Sequence, residues 1–454
     1  MVALALCVPA VWAQRVNPVG PAAPIGESEE SSSKRLDEPV KDAPVPDDRA
    51  LGGAETFSLG KLTEGSKFFR YNLDFSQRLE STTGSTDNTL GGSSHLGGSF
   101  ELRRSLPNSE LTATYEGGGV LNTNDSHLNS SFHQLSVRQS WQRGRWGFLL
   151  GDQLTYSPDS PYSLTMAGHF ATFVIHINGQ SFINPIFIPG QGIVTGNTTR
   201  FGNASIAQVR YLLGPRTSVF ATGGYGFLNF SDSHFTDFNQ RNGVVGFEHR
   251  LNGTDSLGVN YGFTQYQFSN GGSVIKSHAF RLAYGRRITN RIAMELAGGP
   301  EIGSFNDPVL GPTQRLFWTL NGSLQYRRGR STLGLAYRHA LEGGSGVLAG
   351  AQGDTIGLSW ERRFTPRWDV SASVGYSRNS ALQTFSGSPA KPSFETQFAG
   401  VRMSRKLSSD KNVYFGYHAS HQSASAGCGA TCGFPLGHSV EVGFSWNSRP
   451  YRID

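Results

Sequence analysis

Along most of its length the chain alternates apolar and polar positions with a period of two. In the closing stretch "HSVEVGFSWNSRPYRID", Val440, Val442, Phe444 and Trp446 fall on one face, and Ser439, Glu441, Gly443, Ser445 and Asn447 on the other. That is the pattern of a strand with one apolar and one polar side. "FRYNLDFSQ" sets Phe69, Tyr71, Leu73 and Phe75 against Arg70, Asn72, Asp74 and Ser76, and "HQLSVRQSW" sets Leu135, Val137 and Trp141 against Gln134, Ser136, Arg138 and Ser140. After a tight "QRGR", "WGFLLGDQLTY" brings Trp146, Phe148, Leu150, Leu154 and Tyr156 into phase. "SLGVNYGFTQ", "RLFWTLNGSLQYRR", "RWDVSASVGYS" and "NVYFGYHAS" repeat the device, and no helical period runs to a comparable length.

The connections alternate too. Short ones with turn chemistry lie at 105–109, 142–145, 213–217, 252–255, 289–291, 327–330, 364–367 and 408–412. Between them come longer polar loops at 81–95, 118–130, 157–200, 229–239, 269–274, 305–312, 341–351, 380–392 and 424–435. This interleaving predicts an all-β chain of about 18 strands (16–20), an even number with both ends on the short-turn side.

Strand length decides what the apolar face meets. The alternation persists for roughly nine to twelve residues, enough to cross a bilayer at about 45°, whereas soluble strands average about five or six. Trp141, Trp146, Trp318, Trp360, Trp368 and Trp446 all fall on the apolar phase, most of them near strand ends beside short turns, where an interfacial aromatic girdle lies. The other face is rich in Gly, Ser, Thr and Asn, with charges of both signs. A strand alone in hydrocarbon cannot satisfy its backbone, so the fold these strands predict is a closed transmembrane antiparallel up-and-down β-barrel over residues 68–448. Its polar face then looks into a lumen, with Arg70, Asp74, Glu101, Arg103, Arg138, Glu248, Arg250, Arg281, Glu295, Glu361 and Asp369 as pore-lining candidates. Those charges either orient solutes or brace the wall across neighbouring strands.

Composition narrows the alternatives. No apolar run reaches the ~18 residues of a membrane-crossing helix. The formal charge of +6 comes from basic residues scattered singly through strands, which excludes a nucleic-acid footprint. Residues 1–13, "MVALALCVPAVWA", read as the apolar part of a signal peptide with Val11-Trp12-Ala13 as cleavage site. Leu6 before Cys7 disfavours a lipoprotein. Residues 14–60 are rich in Pro, Ser and acids and are expected to be a disordered periplasmic segment. Residues 449–454 form a tail, expected as a periplasmic extension not needed for insertion. Cys428 and Cys432 in "AGCGATCG" leave a disulfide, free thiols or a weak metal pair open; export favours the disulfide, and no metal site or cofactor is expected.

Together, the signal peptide, alternating strands, short turns, long loops and aromatic-ended last strand resemble bacterial outer-membrane β-barrel proteins. The resemblance is architectural and covers about residues 68–448. It implies the outer membrane as location, both termini in the periplasm, and the barrel-insertion machinery and outer-membrane lipid, including lipopolysaccharide, as partners. In general porins the third outer loop folds inward, which here implies a constriction from 157–200. "ATFVIHI" and "FINPIFIPG" in that loop need burial, in the lumen or at a subunit interface of a homo-oligomer. Alternatively, "FVIHINGQSFI" forms a hairpin about Asn178-Gly179 that extends the wall to about 20 strands.

No H-E-x-x-H, G-x-S-x-G, P-loop or dinucleotide fingerprint occurs. In "YHASHQ", His418, Ser420 and His421 are close in sequence, yet His418 and Ser420 share the lumen phase without an obvious orienting carboxylate, and an enzyme is not expected. The function expected first is an aqueous, porin-like channel for passive diffusion of small solutes. A structural or surface-interaction barrel whose loops bind an external partner is second, and a lipid hydrolase a distant third.

Overall fold

The structure is a computed structural model that describes residues 67–81, 90–106, 108–123, 129–158, 173–177, 180–184, 193, 198–269, 272–307, 311–344, 346–383, 392–425 and 434–452. The signal peptide, the 14–60 segment, Cys428 and Cys432 lie outside the described residues. The strands are β1 (Lys67–Ser81), β2 (Leu90–Leu106), β3 (Ser109–Asn122), β4 (Ser130–Arg143), β5 (Trp146–Pro158), β6 (Phe173–Ile177), β7 (Gln180–Asn184), β8 (Thr199–Gly214), β9 (Thr217–Phe230), β10 (Phe238–Arg250) and β11 (Asp255–Phe268). They continue as β12 (Val274–Thr289), β13 (Ile292–Asp307), β14 (Gly311–Arg328), β15 (Ser331–Glu342), β16 (Ala351–Arg363), β17 (Trp368–Ala381), β18 (Ser393–Lys406), β19 (Lys411–Ala424), β20 (Phe434–Asn447) and β21 (Tyr451–Arg452).

Eighteen of these make one closed antiparallel wall. Successive strands pair as neighbours, β5 pairs directly with β8, and β20 returns to β1 in the register Leu73↔Trp446, Phe75↔Phe444, Gln77↔Val442 and Leu79↔Val440. The strand count expected from the turns holds, and so does the pairing of last strand with first. The turns explain why neighbours are antiparallel. In "QRGR" Gly144 takes φ 60, which a two-residue hairpin needs and other residues resist. Elsewhere side chains cap the turn: Asn252 Oδ1 accepts from the Thr254 and Asp255 amides at 2.7 and 2.8 Å.

β6 and β7 pair with each other, but they do not enlarge the wall. Among the described residues β6 and β7 pair only with each other, as a separate two-stranded sheet. β5 and β8 already bond from Trp146↔Tyr211 to Pro158↔Thr199, which leaves no edge between them to receive another strand.

The two faces of the wall are sorted in the reverse sense to a soluble protein. Leu73, Leu79, Leu96, Phe280 and Leu316 are between 53% and 68% exposed, while Arg78, Glu301 and Glu441 are buried. Each exposed Leu or Phe forgoes about 1.5–3 kcal/mol in water, so a continuous apolar sheath is stable only against an apolar surrounding. The polar phase is the concave one: Tyr414 Oη on β19 donates to Asp74 on β1 at 2.8 Å, passing over β20, and Arg281 Nε on β12 reaches Thr319 Oγ1 on β14 at 3.4 Å. Curvature brings inward side chains of non-adjacent strands together.

Aromatic residues mark the short-turn rim. Trp141 and Trp146 flank the β4–β5 turn and both stack on Phe148, at 5.3 and 6.1 Å, and Trp146 also meets Tyr211 at 4.6 Å. Trp360 and Trp368 lie beside the β16–β17 turn, on the outward phase. Trp446 Nε1 donates to Asp410 Oδ2 at 3.2 Å in the β18–β19 turn. There the Ser408 hydroxyl above all, and Trp446 in addition, holds the Asp410 carboxyl below its usual range. Trp318, 70% exposed, lies instead in the loop-side half of β14. Toward the long-loop rim the outward face carries three diagonal pairs, Tyr115–His133, Tyr261–His278 and Tyr417–His438, each hydroxyl 2.6–2.8 Å from Nδ1.

The seam extends past Trp446. Ser448 Oγ accepts from the Tyr71 amide at 2.9 Å, and Tyr451 and Arg452 resume pairing with Phe69 and Phe68. Tyr71 then sits between Trp446, at 5.5 Å, and Tyr451, stacked at 6.2 Å. Through Tyr451 the tail is paired to the wall. Deleting residues 449–454 should leave a closed barrel but weaken it by ~1 kcal/mol, the worth of an aromatic contact. The measurement is the unfolding temperature of the heat-modifiable band in detergent, and an unchanged temperature would contradict a structural tail.

Candidate functional site: the lumen and its long-loop mouth

Arg70, Asp74, Glu101, Arg103, Arg138, Glu248, Arg250, Arg281, Glu295, Glu361 and Asp369 all project from the inward phase of their strands. Many are paired there. Arg70 Nε donates to Glu101 at 2.7 Å, Arg103 pairs with Glu110 at 2.8 Å, Arg363 with Asp369 at 3.3 Å, and Arg210 with Glu248 at 2.6 Å. Ser277 donates to Glu301, Arg338 lies 3.6 Å from Glu342, and the Arg402 guanidinium sits 3.5 Å from the centre of the Tyr414 ring. Pairing offsets the desolvation that an isolated charge would suffer in so crowded an interior.

Glu110, Arg210, Glu301, Arg338, Glu342, Arg363 and Arg402 are inward charges that the sequence reading did not single out. Arg210 shows why. The inward phase of β8 also holds Ala204, Ile206 and Leu212, so neither phase of that strand is plainly polar. Its position between Val209 and Tyr211, both outward, was the available clue.

The long-loop mouth of the barrel is apolar on its inner side. Leu228, Phe238, Tyr266, Phe268, Ile275, Phe305, Leu341 and Leu382, from the long-loop ends of β9 to β13, β15 and the end of β17, form one buried cluster. Over it folds the β15–β16 connection, residues 343–350. β14 and β15 stop pairing at Leu320↔His339, which frees the end of β15 to turn inward. The Gly346 carbonyl accepts from the Thr236 amide at 2.8 Å, in the β9–β10 connection six wall strands away. Gly344, Gly346 and Gly350 have φ of 75, 77 and 87. A Cβ on Gly346 would enter the Phe230 ring, and one on Gly350 the Ile275 side chain.

Leu348, 1% exposed, is the meeting point. It packs with Ala351, Ala381 and Phe394 and with Ile193, a described residue of the 157–200 loop. That loop leaves the wall between β5 and β8, about halfway round from β17 and β18. Ile193 therefore reaches across the mouth, while most of the rest of the loop lies outside the described residues. The inward loop expected in 157–200 lies mostly outside the described residues, and 343–350 is not among the sites the sequence singles out. The signal there was "VLA" set inside "EGGSGVLAG", an apolar triplet in a glycine tract.

A closed wall, an apolar exterior and a charged interior meet in one architecture. The fold is that of a transmembrane antiparallel β-barrel. No protein-family model matches the chain, and no curated protein does. Among solved structures the barrel is similar to OccK2 (OpdF) of Pseudomonas aeruginosa, with 10% identity and a TM-score of 0.44 over 86% of this chain and 99% of that one. It is also similar to Pseudomonas aeruginosa OpdK with vanillate (11%, 0.40, 86% and 100%) and to the FrpB iron transporter from Neisseria meningitidis (8%, 0.40, 85% and 82%). Likeness this low assigns no activity, so what the barrel does is read from its own residues.

The paired inner charges brace the wall. Arg210 and Glu248 flank β9, and their side chains are 7% and 8% exposed. Glu248→Ala, which takes the carboxylate from a buried guanidinium, should cost roughly 3–5 kcal/mol. Arg210→Met together with Glu248→Leu should recover most of it. Urea unfolding of the barrel in vesicles checks both, and a double variant as unstable as the single one would refute mutual compensation.

Proposed function

We propose that the barrel is an outer-membrane channel for passive diffusion of small solutes, with both termini on the periplasmic side. The observation that carries this is the inversion of polarity: Leu and Phe outside, paired charges inside, around a wall without an edge. An 18-stranded wall encloses more width than side chains fill, so water and solute pass unless loops prevent it. In this reading the 343–350 loop, pinned by Phe230, Ile275 and Thr236, sets the bore at the outer mouth, and solutes then meet the inward Arg, Glu and Asp residues, which serve as both wall braces and pore lining. Outer-membrane lipid surrounds the Trp and Tyr rims, and the insertion machinery reads the seam strand β20.

The test is single-channel conductance of the purified barrel in a planar bilayer. The native protein should give discrete steps. Gly346→Val, which cannot keep φ 77 beside Phe230, should release the loop and raise conductance severalfold with the heat-modifiable fold retained. Absence of steps in both proteins would sink the channel reading and leave the surface-interaction barrel.

A further inference from the structure

Asp152 breaks the polarity rule of the wall. The inward phase of β5 is Gly147, Leu149, Gly151, Gln153 and Thr155, with Leu149 buried, so Asp152 shares the outward phase with Trp146, Leu150 and Tyr156. It lies midway along β5, inside the apolar band. From the outward face of β8, Ser205 Oγ donates to its carboxylate at 2.5 Å and Asn203 Nδ2 at 3.2 and 3.3 Å. Three contacts from these two donors soften the cost of a carboxylate in hydrocarbon without removing it.

The wall beside this group also loses its bulk. Ala207 on β8, Ala221 and Gly223 on β9 and Gly243 on β10 face outward, registered Ala207↔Gly223↔Gly243. Beyond them Arg241, exposed and outward, continues the row Asp152↔Ser205↔Tyr225↔Arg241. One flank of this patch is thus acidic and the other basic, with Tyr225 exposed between them.

We propose that this face binds a second copy of the chain about a two-fold axis along the bilayer normal, passing near Gly223. Such an axis carries the acidic flank of each copy opposite the basic flank of the other, the self-complementarity that an isologous contact requires. Small residues let two walls approach closely, and polar side chains shielded from lipid then hold them. Asp152 with Asn203 and Ser205 gains a cationic neighbour and loses its lipid contact. The inference rests on the membrane placement proposed above and not on conductance.

The full-length protein, with Cys7→Ser, Cys428→Ser and Cys432→Ser, is folded into phosphatidylcholine vesicles. Gly223→Cys, near the axis, should give a disulfide-linked dimer on oxidation, whereas Val374→Cys on β17, away from the patch, should not. A Cβ at Gly223 meets nothing within 4 Å, so Gly223→Trp keeps the barrel and blocks the second wall. It should leave only monomer by native mass spectrometry. Asp152→Arg and Arg241→Asp should each weaken the dimer at least roughly tenfold, and the two together should restore it. A folded, heat-modifiable Gly223→Cys protein that does not cross-link overturns the proposal, as does a dimer indifferent to Gly223→Trp. Failure to enter vesicles at all would point instead to the membrane placement.

Discussion

An unpaired strand edge in hydrocarbon leaves a row of backbone donors and acceptors with no partner, and the whole structure follows from avoiding it. The seam between β1 and β20 is where that requirement is met. Leu73, Phe75 and Leu79 lie opposite Trp446, Phe444 and Val440, so the apolar sheath passes across the join without interruption. Ser448, Tyr451 and Arg452 lengthen the join beyond the last full strand, with Tyr71 held between two aromatic rings.

Closure then assigns each phase of each strand to a solvent. Outward positions take Leu, Phe and Val, with Trp at the short-turn rim and Tyr–His pairs toward the other. Inward positions collect charge, and because the wall is curved these charges find partners one or two strands away, as Arg210 and Glu248 do across β9. The same curvature that makes a lumen supplies the pairing that makes its charges tolerable. Where the rule is broken outward, at Asp152, the neighbouring strand changes character with it, through Asn203, Ser205 and the small residues beyond.

The mouth obeys a different logic. Near the long-loop rim the inward phase turns apolar, and Phe238, Phe268, Ile275 and Phe305 form a seat for a loop instead of a lining for water. The glycine tract 343–350 fits that seat because its backbone takes left-handed φ where side chains would collide with Phe230 and Ile275. Leu348 closes the arrangement by meeting Ile193 from the opposite side of the barrel.

Strand identity, the inward or outward sense of residues on the plainly alternating strands and the number of wall strands were legible in the sequence, because a period of two and the residues of a tight turn are local properties. The eleven inward charges singled out there could be found for the same reason, each by its phase alone. What touches what across the lumen was not legible. The partner of Glu248, the loop that crosses the mouth and the exclusion of the 173–184 hairpin from the wall depend on register and curvature, which arise only when distant strands pair. Asp152 stood in plain view between Leu150 and Leu154. Only the bonding of β5 to β8, across a connection of some forty residues, gave its carboxylate neighbours and made its outward position a property of a surface, because nothing local in "GDQL" specifies which strand lies beside it.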